Sequence, residues 1–220
     1  MATTFLIVAA LAFVALETSG TAWSQPLDRL AEKRVLPAPQ TSGGPSLASV
    51  LATRRSRREF GARALDDAEL GQLLWAAQGV SDGHRTAPSA GALYPLTIHV
   101  VDARGVWHYV PADHAVVRDA TGDHRGQLVS ASFGQAATRA PEVLVVTADI
   151  AVTAKKYGAR AERFATLEAG HVAENVLLEA AALGLDAVPV GAFDEAAVRR
   201  ALGLTSQDTP LYLIPVGPPP

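Results

Sequence analysis

An α+β fold follows from three features of this 220-residue sequence. Apolar residues make up 49% of the chain against 19% charged, which is enough to build a sizeable core and excludes global disorder. Capped segments with apolar residues at helical spacing are interspersed with short runs of strand type. A long alanine-rich stretch, residues 159–183, is apolar on more than one side. These helices and strands do not follow the strict βα alternation of a doubly wound sheet. There is no internal repeat.

Phe5 to Leu16 reads FLIVAALAFVAL. It is shorter than the roughly 20 residues a bilayer span needs, and it fits the apolar region of a secretory leader. Ala22-Trp23-Ser24 supplies a small-x-small cleavage pattern, so a signal peptide is expected over 1–24, with export to the periplasm or medium. No Lys or Arg precedes Phe5, which leaves an uncleaved anchor or a cytoplasmic protein as the competing readings. Residues 25–45 are rich in Pro, Gly and Ser and read as a linker or extended arm. The folded domain is expected over 46–220, with no other run able to span a membrane.

Within it, Ser46 caps a helix whose Leu47, Val50 and Leu51 form a stripe running into Arg54 and Arg55. Asp66 and Glu69 make a capping box before Leu70, Leu73, Leu74 and Ala77, and Gly79 stands at the C-cap. Leu96–Asp102 and Val106–Val110 read as a hairpin about Ala103-Arg104-Gly105. Trp107, His108 and Tyr109 on its second strand are packing residues in this reading, and His84 a turn residue. Glu142–Thr147 is a further strand, and the long helix ends at Gly184. Ala187–Val190 and Leu211–Val216 are strands on either side of a short helix capped by Asp194 and closed by Gly203.

Several chemistries are excluded. A net charge of −3, from 19 basic and 22 acidic residues, argues against a nucleic-acid binder. With no Cys there is no disulfide, thiolate metal site or cysteine nucleophile. The standard dinucleotide, triphosphate, zinc-protease and serine-hydrolase motifs do not occur. Glu168-x-x-His171 is half of a di-iron pair, but no second Glu-x-x-His exists, so His171 reads as a packing or hydrogen-bonded histidine and no metal site is expected.

Arg54-Arg55-Ser56-Arg57-Arg58 remains. Guanidinium forks suit phosphate oxygens and Ser adds a hydroxyl, although an isolated run of this kind is as readily a solvated basic turn. Its company decides between the two. RRSRREF after an amphipathic helix resembles the start of the FMN-binding nitroreductase superfamily. Ala87–Pro95 (APSAGALYP), Lys156-Tyr157-Gly158 with Arg160-Ala161, Glu168-Ala169-Gly170-His171 with Asn175, and Val188–Asp194 (VPVGAFD) resemble its SagB-type, azoline-oxidase-like branch, in family order over almost the whole domain.

The resemblance implies a nitroreductase-like fold, with a central, mostly antiparallel sheet flanked by helices and a long buried central helix. It implies a homodimer that binds FMN. Arg54, Arg55 and Ser56 inherit the phosphate and ribityl chain, and Arg58 the N1–C2 edge of the ring, where a fixed cation stabilises reduced flavin. Arg57 is left as an outward surface charge. Pro88, Ser89 and Ala90 would lie against the flavin of the second subunit. Pro189, Val190, Gly191 and Ala192 form the loop whose backbone N–H meets flavin N5, with Gly191 or Ala192 as donor. Lys156 and Tyr157 are implied to deprotonate the substrate while hydride passes to FMN in a ping-pong cycle, with Lys155 the alternative to Lys156. The substrate would be a small molecule or peptide-derived. An NAD(P)H-dependent nitro or quinone reductase on the same flavin site is the alternative, with NAD(P)H as reductant. A flavin-free secreted binding domain is the third. The sequence reads Val216-Gly217-Pro218-Pro219-Pro220 at its end, without the basic C-terminal residue that many relatives place near the FMN phosphate, which throws more of that charge onto the arginine run.

Overall fold

The computed structural model describes residues 32–135 and 139–220. The expected leader and the first part of the arm lie outside them. The rest forms one compact unit.

Its centre is a seven-stranded sheet of β1 (Lys33–Val35), β4 (Leu96–Asp102), β5 (Gly105–Val110), β6 (Ala115–Thr121), β7 (Glu142–Asp149), β8 (Asp186–Ala187) and β9 (Asp208–Gly217). The spatial order is β1-β6-β5-β4-β7-β9-β8, and every neighbouring pair is antiparallel. A small second ribbon pairs β2 (Val80–Ser81) with β3 (His84–Arg85).

The period of two along each strand divides the apolar residues between two cores. Ile98, Val100, Trp107, Leu144, Val146 and Ile214 pack against α2 (Asp67–Gln78) and α5 (Ala161–Ala182). Val101, Val106, Val143, Val145 and Leu213 face α3 (Arg125–Ala131) and α6 (Glu195–Leu202). The result is an α+β sandwich of helices, sheet and helices. Two shorter elements complete it, α1 (Leu47–Thr53) and α4 (Ile150–Tyr157), the latter joined to α5 by a 3₁₀ turn at Gly158–Arg160. Among the described residues no helix is long and apolar enough to cross a membrane.

The capping signals perform as expected. Ser46 accepts from the Ser49 N–H at 3.2 Å, and Asp66 and Glu69 form the reciprocal box on α2. Gly203 closes α6 in the left-handed conformation. Four expectations are corrected. α1 stops at Thr53, so Arg54 and Arg55 lie beyond it in extended chain. Of its stripe only Val50 is buried, while Leu47 and Leu51 are 64% and 54% exposed. Residues 187–190 are not one strand: after β8 the chain touches β9 again only through a bridge between Val190 and Leu213. His171 is exposed rather than packed. Trp107, by contrast, is fully buried, with the guanidiniums of Arg34, Arg104 and Arg118 stacked around its ring.

Candidate functional site

The arginine run is shaped by where α1 ends. Arg54 leaves the helix with φ −52° and ψ 130°, and the chain then runs beside β8. Ser56 bridges Ala187 in parallel, and the Arg57 N–H donates to the Ala187 carbonyl at 3.1 Å. The side chains of Arg54, Arg55 and Arg57 line a cavity of about 160 Å³ with Asp186 and the end of α5. Arg54 Nε sits 3.7 Å from Glu174, and Arg57 Nε 3.9 Å from Asp186. Arg55 donates to the carbonyls of Ala52 and Arg54 at 3.0 and 2.7 Å. Arg57, expected as an outward surface charge, is exposed, its side chain 61% accessible, and it also borders the same cavity as Arg54 and Arg55; Ser56 and Arg58 are exposed too and do not line it.

Pro88, Ser89 and Ala90 belong to a loop with an unusual backbone. Gly91, Ala92 and Tyr94 all have left-handed φ, +64°, +54° and +48°. Ala and Tyr hold this conformation only when surroundings over-determine it. Ser89 is the hub: its Oγ donates to Glu168 on α5 at 2.5 Å and accepts from the Tyr94 N–H at 2.9 Å. The second oxygen of Glu168 takes a bond from Gln78 on α2 at 3.2 Å. Burial pushes the Glu168 carboxyl above its ordinary value. Two turns along the same helix, Asn175 donates to the carbonyls of Ala76 and Thr86, fixing the loop's entry. Glu168 and Asn175 are therefore clamps on this loop.

The loop leads to the expected proton-handling pair. A β-carbon on Gly91 would fall 2.7 Å from Lys156 Nζ and 2.8 Å from the Tyr157 hydroxyl. Both heads converge on one glycine, and of the two adjacent lysines it is Lys156 that reaches it. Tyr157 is held edge-on by Phe164, with ring centroids 4.8 Å apart. Gly158, with φ +54°, then turns the chain into α5.

Pro189 to Ala192 hang between fixed ends. Val190 exchanges two bonds with Leu213, at 2.7 and 3.0 Å. Beyond the loop the Asp194 N–H donates to Ala131 at 2.8 Å, and the Asp194 carboxylate caps α6 at the Ala197 N–H. Gly191 and Ala192 are exposed, and among the described residues their N–H groups have no acceptor. The Ala192 carbonyl takes a bond from the side chain of Gln135 at 3.0 Å.

The structure brings together Arg54, Arg55 and Arg57 in one place, and Lys156 and Tyr157 with the Pro88–Gly91 loop in another. Among the described residues no hydrogen bond or ion pair joins these groups to each other or to residues 189–192. Sequence reasoning missed Gln78 and Gln135, each pairing over a long sequence separation with no local signal. The donors fit FMN: a guanidinium cavity suits its phosphate, and exposed unpaired N–H groups suit a ring nitrogen acceptor. Among the described residues no group of His, Asp and Glu is arranged to hold a metal ion.

Comparison with known proteins gives a consistent result. The family model described as the nitroreductase family matches residues 51–218. A Methanocaldococcus jannaschii protein described as a nitroreductase is 41% identical over 181 residues, covering 78% of this chain and 90% of that protein. The crystal structure of a Ralstonia eutropha protein described as a nitroreductase superposes with a TM-score of 0.79 at 29% identity, covering 86% and 90% of the two chains. The NADPH:FMN oxidoreductase of Vibrio harveyi, solved with NAD+, has a TM-score of 0.60 at 22% identity over 79% of this chain and 68% of its own. A chain of the Escherichia coli microcin synthetase complex has a TM-score of 0.66 at 23% identity over 96% and 84%. At these last two identities the likeness is one of fold.

Proposed function

Since the chain belongs to the nitroreductase family, we propose that it is an FMN-dependent oxidoreductase of the SagB-type dehydrogenase kind, taking a small or peptide-derived substrate. The observation that carries this reading is the convergence of Lys156 Nζ and the Tyr157 hydroxyl on Gly91. A reductase that uses only flavin and NAD(P)H has no need of a protein base, and here the heads of a lysine and a tyrosine on α4 converge on the strained loop at Gly91.

Bound FMN would supply hydride transfer at N5, with donor and acceptor reacting in turn. The chain's own residues do the rest. Arg54 and Arg55, with Ser56, hold the phosphate and ribityl chain, and Arg57 shares their cavity. Arg58 sits toward the ring edge where negative charge collects on reduction. The N–H of Gly191 or Ala192 donates to the reactive nitrogen, and a preset backbone donor costs no reorganisation at that moment. Lys156 takes the substrate proton and Tyr157 orients or relays it. Pro88, Ser89 and Ala90 form a small-residue surface that a flavin held by a second copy can approach closely. Leu47 and Leu51 on α1, and Leu167 on α5, are exposed in the single chain and are faces for that second copy.

Absorbance of the purified protein, with identification of the released cofactor, tests the flavin. Protein that is colourless and takes up no FMN on soaking rejects both enzyme readings and leaves a binding domain. Lys156→Ala then tests the chemistry. It abolishes azoline-type oxidation and leaves NAD(P)H-dependent quinone or nitro reduction nearly intact. A wild-type enzyme with only the latter activity, undiminished in the variant, is a reductase.

A further inference from the structure

The loop at residues 189–194 is anchored at both ends by backbone and in the middle by one side chain. Val190 is pinned to Leu213 by two bonds, and Asp194 to Ala131 by one. Between them lie the peptides that carry the free N–H groups of Gly191 and Ala192. The Ala192 carbonyl is oriented by the amide of Gln135, 57 residues away in sequence, at 3.0 Å. A peptide is planar, so the held Val190 carbonyl fixes the plane of the Gly191 N–H and the held Ala192 carbonyl that of the Phe193 N–H, with the Ala192 N–H on the single peptide between them.

The chain goes to some length to deliver this glutamine. α3 ends in a wrapped cap: the Phe133 N–H donates to Ser130 at 3.2 Å and the Gly134 N–H to Val129 at 2.9 Å. That wrap places its left-handed residue, normally glycine, at Phe133, with φ +57°, followed by Gly134 at +75°. The Phe133 ring is 74% exposed, so no burial offsets the unfavourable backbone. Two successive left-handed residues reverse the chain as it leaves the helix, and Gln135 comes out facing the loop.

We propose that Gln135 is a positioning residue: by holding the Ala192–Phe193 peptide, as Leu213 holds the Val190–Gly191 peptide, it fixes both neighbours of the one peptide between them, which presents the Ala192 N–H to the flavin. The inference rests on the reading that the Ala192 N–H meets N5. Gln135 itself touches neither flavin nor substrate. Its chemistry is specific, because the contact needs a donor. Glutamate is nearly isosteric but turns an acceptor on the carbonyl, and asparagine is one methylene shorter.

The test compares wild type, Gln135→Glu and Gln135→Asn, with Gln127→Glu, an exposed glutamine on α3, as control. Two quantities are read: the midpoint potential of bound FMN, and the amide signal of Phe193 in flavin-free protein by ¹⁵N–¹H NMR, since that amide shares its peptide with the Ala192 carbonyl. We expect both Gln135 variants to retain FMN, whose phosphate is held elsewhere, while the two-electron reduction equilibrium shifts by ~10-fold, about 30 mV. The Phe193 signal moves in both, and the control matches wild type in both. A potential and a Phe193 signal unchanged in Gln135→Glu overturn the proposal, as does a shift of equal size in the control. If wild-type protein binds no FMN, the flavin reading fails first; an unmoved Phe193 signal in Gln135→Glu then also removes the tether, and a moved one retains it.

Discussion

Lys156 Nζ lies 2.7 Å from the point where a β-carbon on Gly91 would stand. The glycine is thus required twice, once for its left-handed φ of +64° and once for the space its missing side chain leaves to the lysine and tyrosine heads. Gly91→Ala is expected to cost about 1–2 kcal/mol from the backbone alone. It also pushes Lys156 and Tyr157 from their shared position, so base-dependent oxidation falls while FMN content holds. Denaturant unfolding and a flavin-to-protein absorbance ratio check both parts; an Ala variant with wild-type oxidation would show that the convergence has no catalytic consequence.

Ser89 makes the neighbouring argument from hydrogen bonding. Its hydroxyl serves Glu168 and the Tyr94 N–H together, and the Glu168 carboxyl is buried. Ser89→Ala leaves one carboxyl oxygen and one backbone donor without their partner. Unsatisfied groups of this kind cost about 1–3 kcal/mol. The loss should appear in urea unfolding and be smaller in Thr, which keeps the hydroxyl. Equal stability of the Ala variant and wild type would mean that water replaces Ser89 without cost.

What the sequence made legible and what it hid divide along physical lines. Features specified within a few residues could be read directly: the capping box at Asp66 and Glu69, the Asp102–Gly105 turn, and the stops at Gly184 and Gly203. Elements whose reason lies elsewhere in the chain could not. β1 is three residues in a polar, proline-rich arm, and it exists because β6 offers an edge to pair with. β6 itself starts apolar but continues through Arg118 and Asp119, and a bulge opposite Val106 and Trp107 breaks its register. α3 has no side-chain cap to announce it. The site shows the same contrast. Motifs pointed to Gly91, Lys156 and Tyr157, but nothing local marks Gln135, whose partner is fixed only once α3 and the 189–194 loop are folded side by side.

The arginine run yields a prediction in which the structure adds a residue to those the resemblance named. Alternation made Arg57 a surface charge, and it is exposed as such, but it also borders the cavity with Arg54 and Arg55. Hydrogen bonds to a charged partner contribute about 1.5–3 kcal/mol each. Arg54→Ala with Arg55→Ala is therefore expected to weaken FMN binding by at least ~100-fold, and Arg57→Ala alone by ~10-fold. Arg63→Ala, whose guanidinium is already paired with Glu69, should change nothing. Flavin fluorescence titrations measure all three, and full affinity in the double variant would reject the phosphate assignment.

Glu142 supplies a pH dependence separate from any cofactor. At the start of β7 its residue is only 4% exposed; one oxygen accepts from the Leu65 N–H at 3.1 Å and the other has no hydrogen-bond partner. Burial is the main cause pushing its carboxyl up to about 7, and the charge of Asp102 adds to it, against the opposing effects of the Leu65 N–H, Arg125 and Arg104. Folding therefore favours the neutral acid. Below the unfolded value of about 4.5 both states are protonated and this contribution is fully present; it is lost as pH rises through about 7. Glu142→Gln stays neutral throughout and keeps an oxygen for Leu65. Relative to wild type it should gain nothing near pH 4, then progressively more, levelling above pH 7 at roughly 3 kcal/mol. Urea unfolding of both proteins across that range gives the difference directly. A gap that does not vary with pH would place the Glu142 titration outside the folding equilibrium and show that water reaches the carboxyl in the native state.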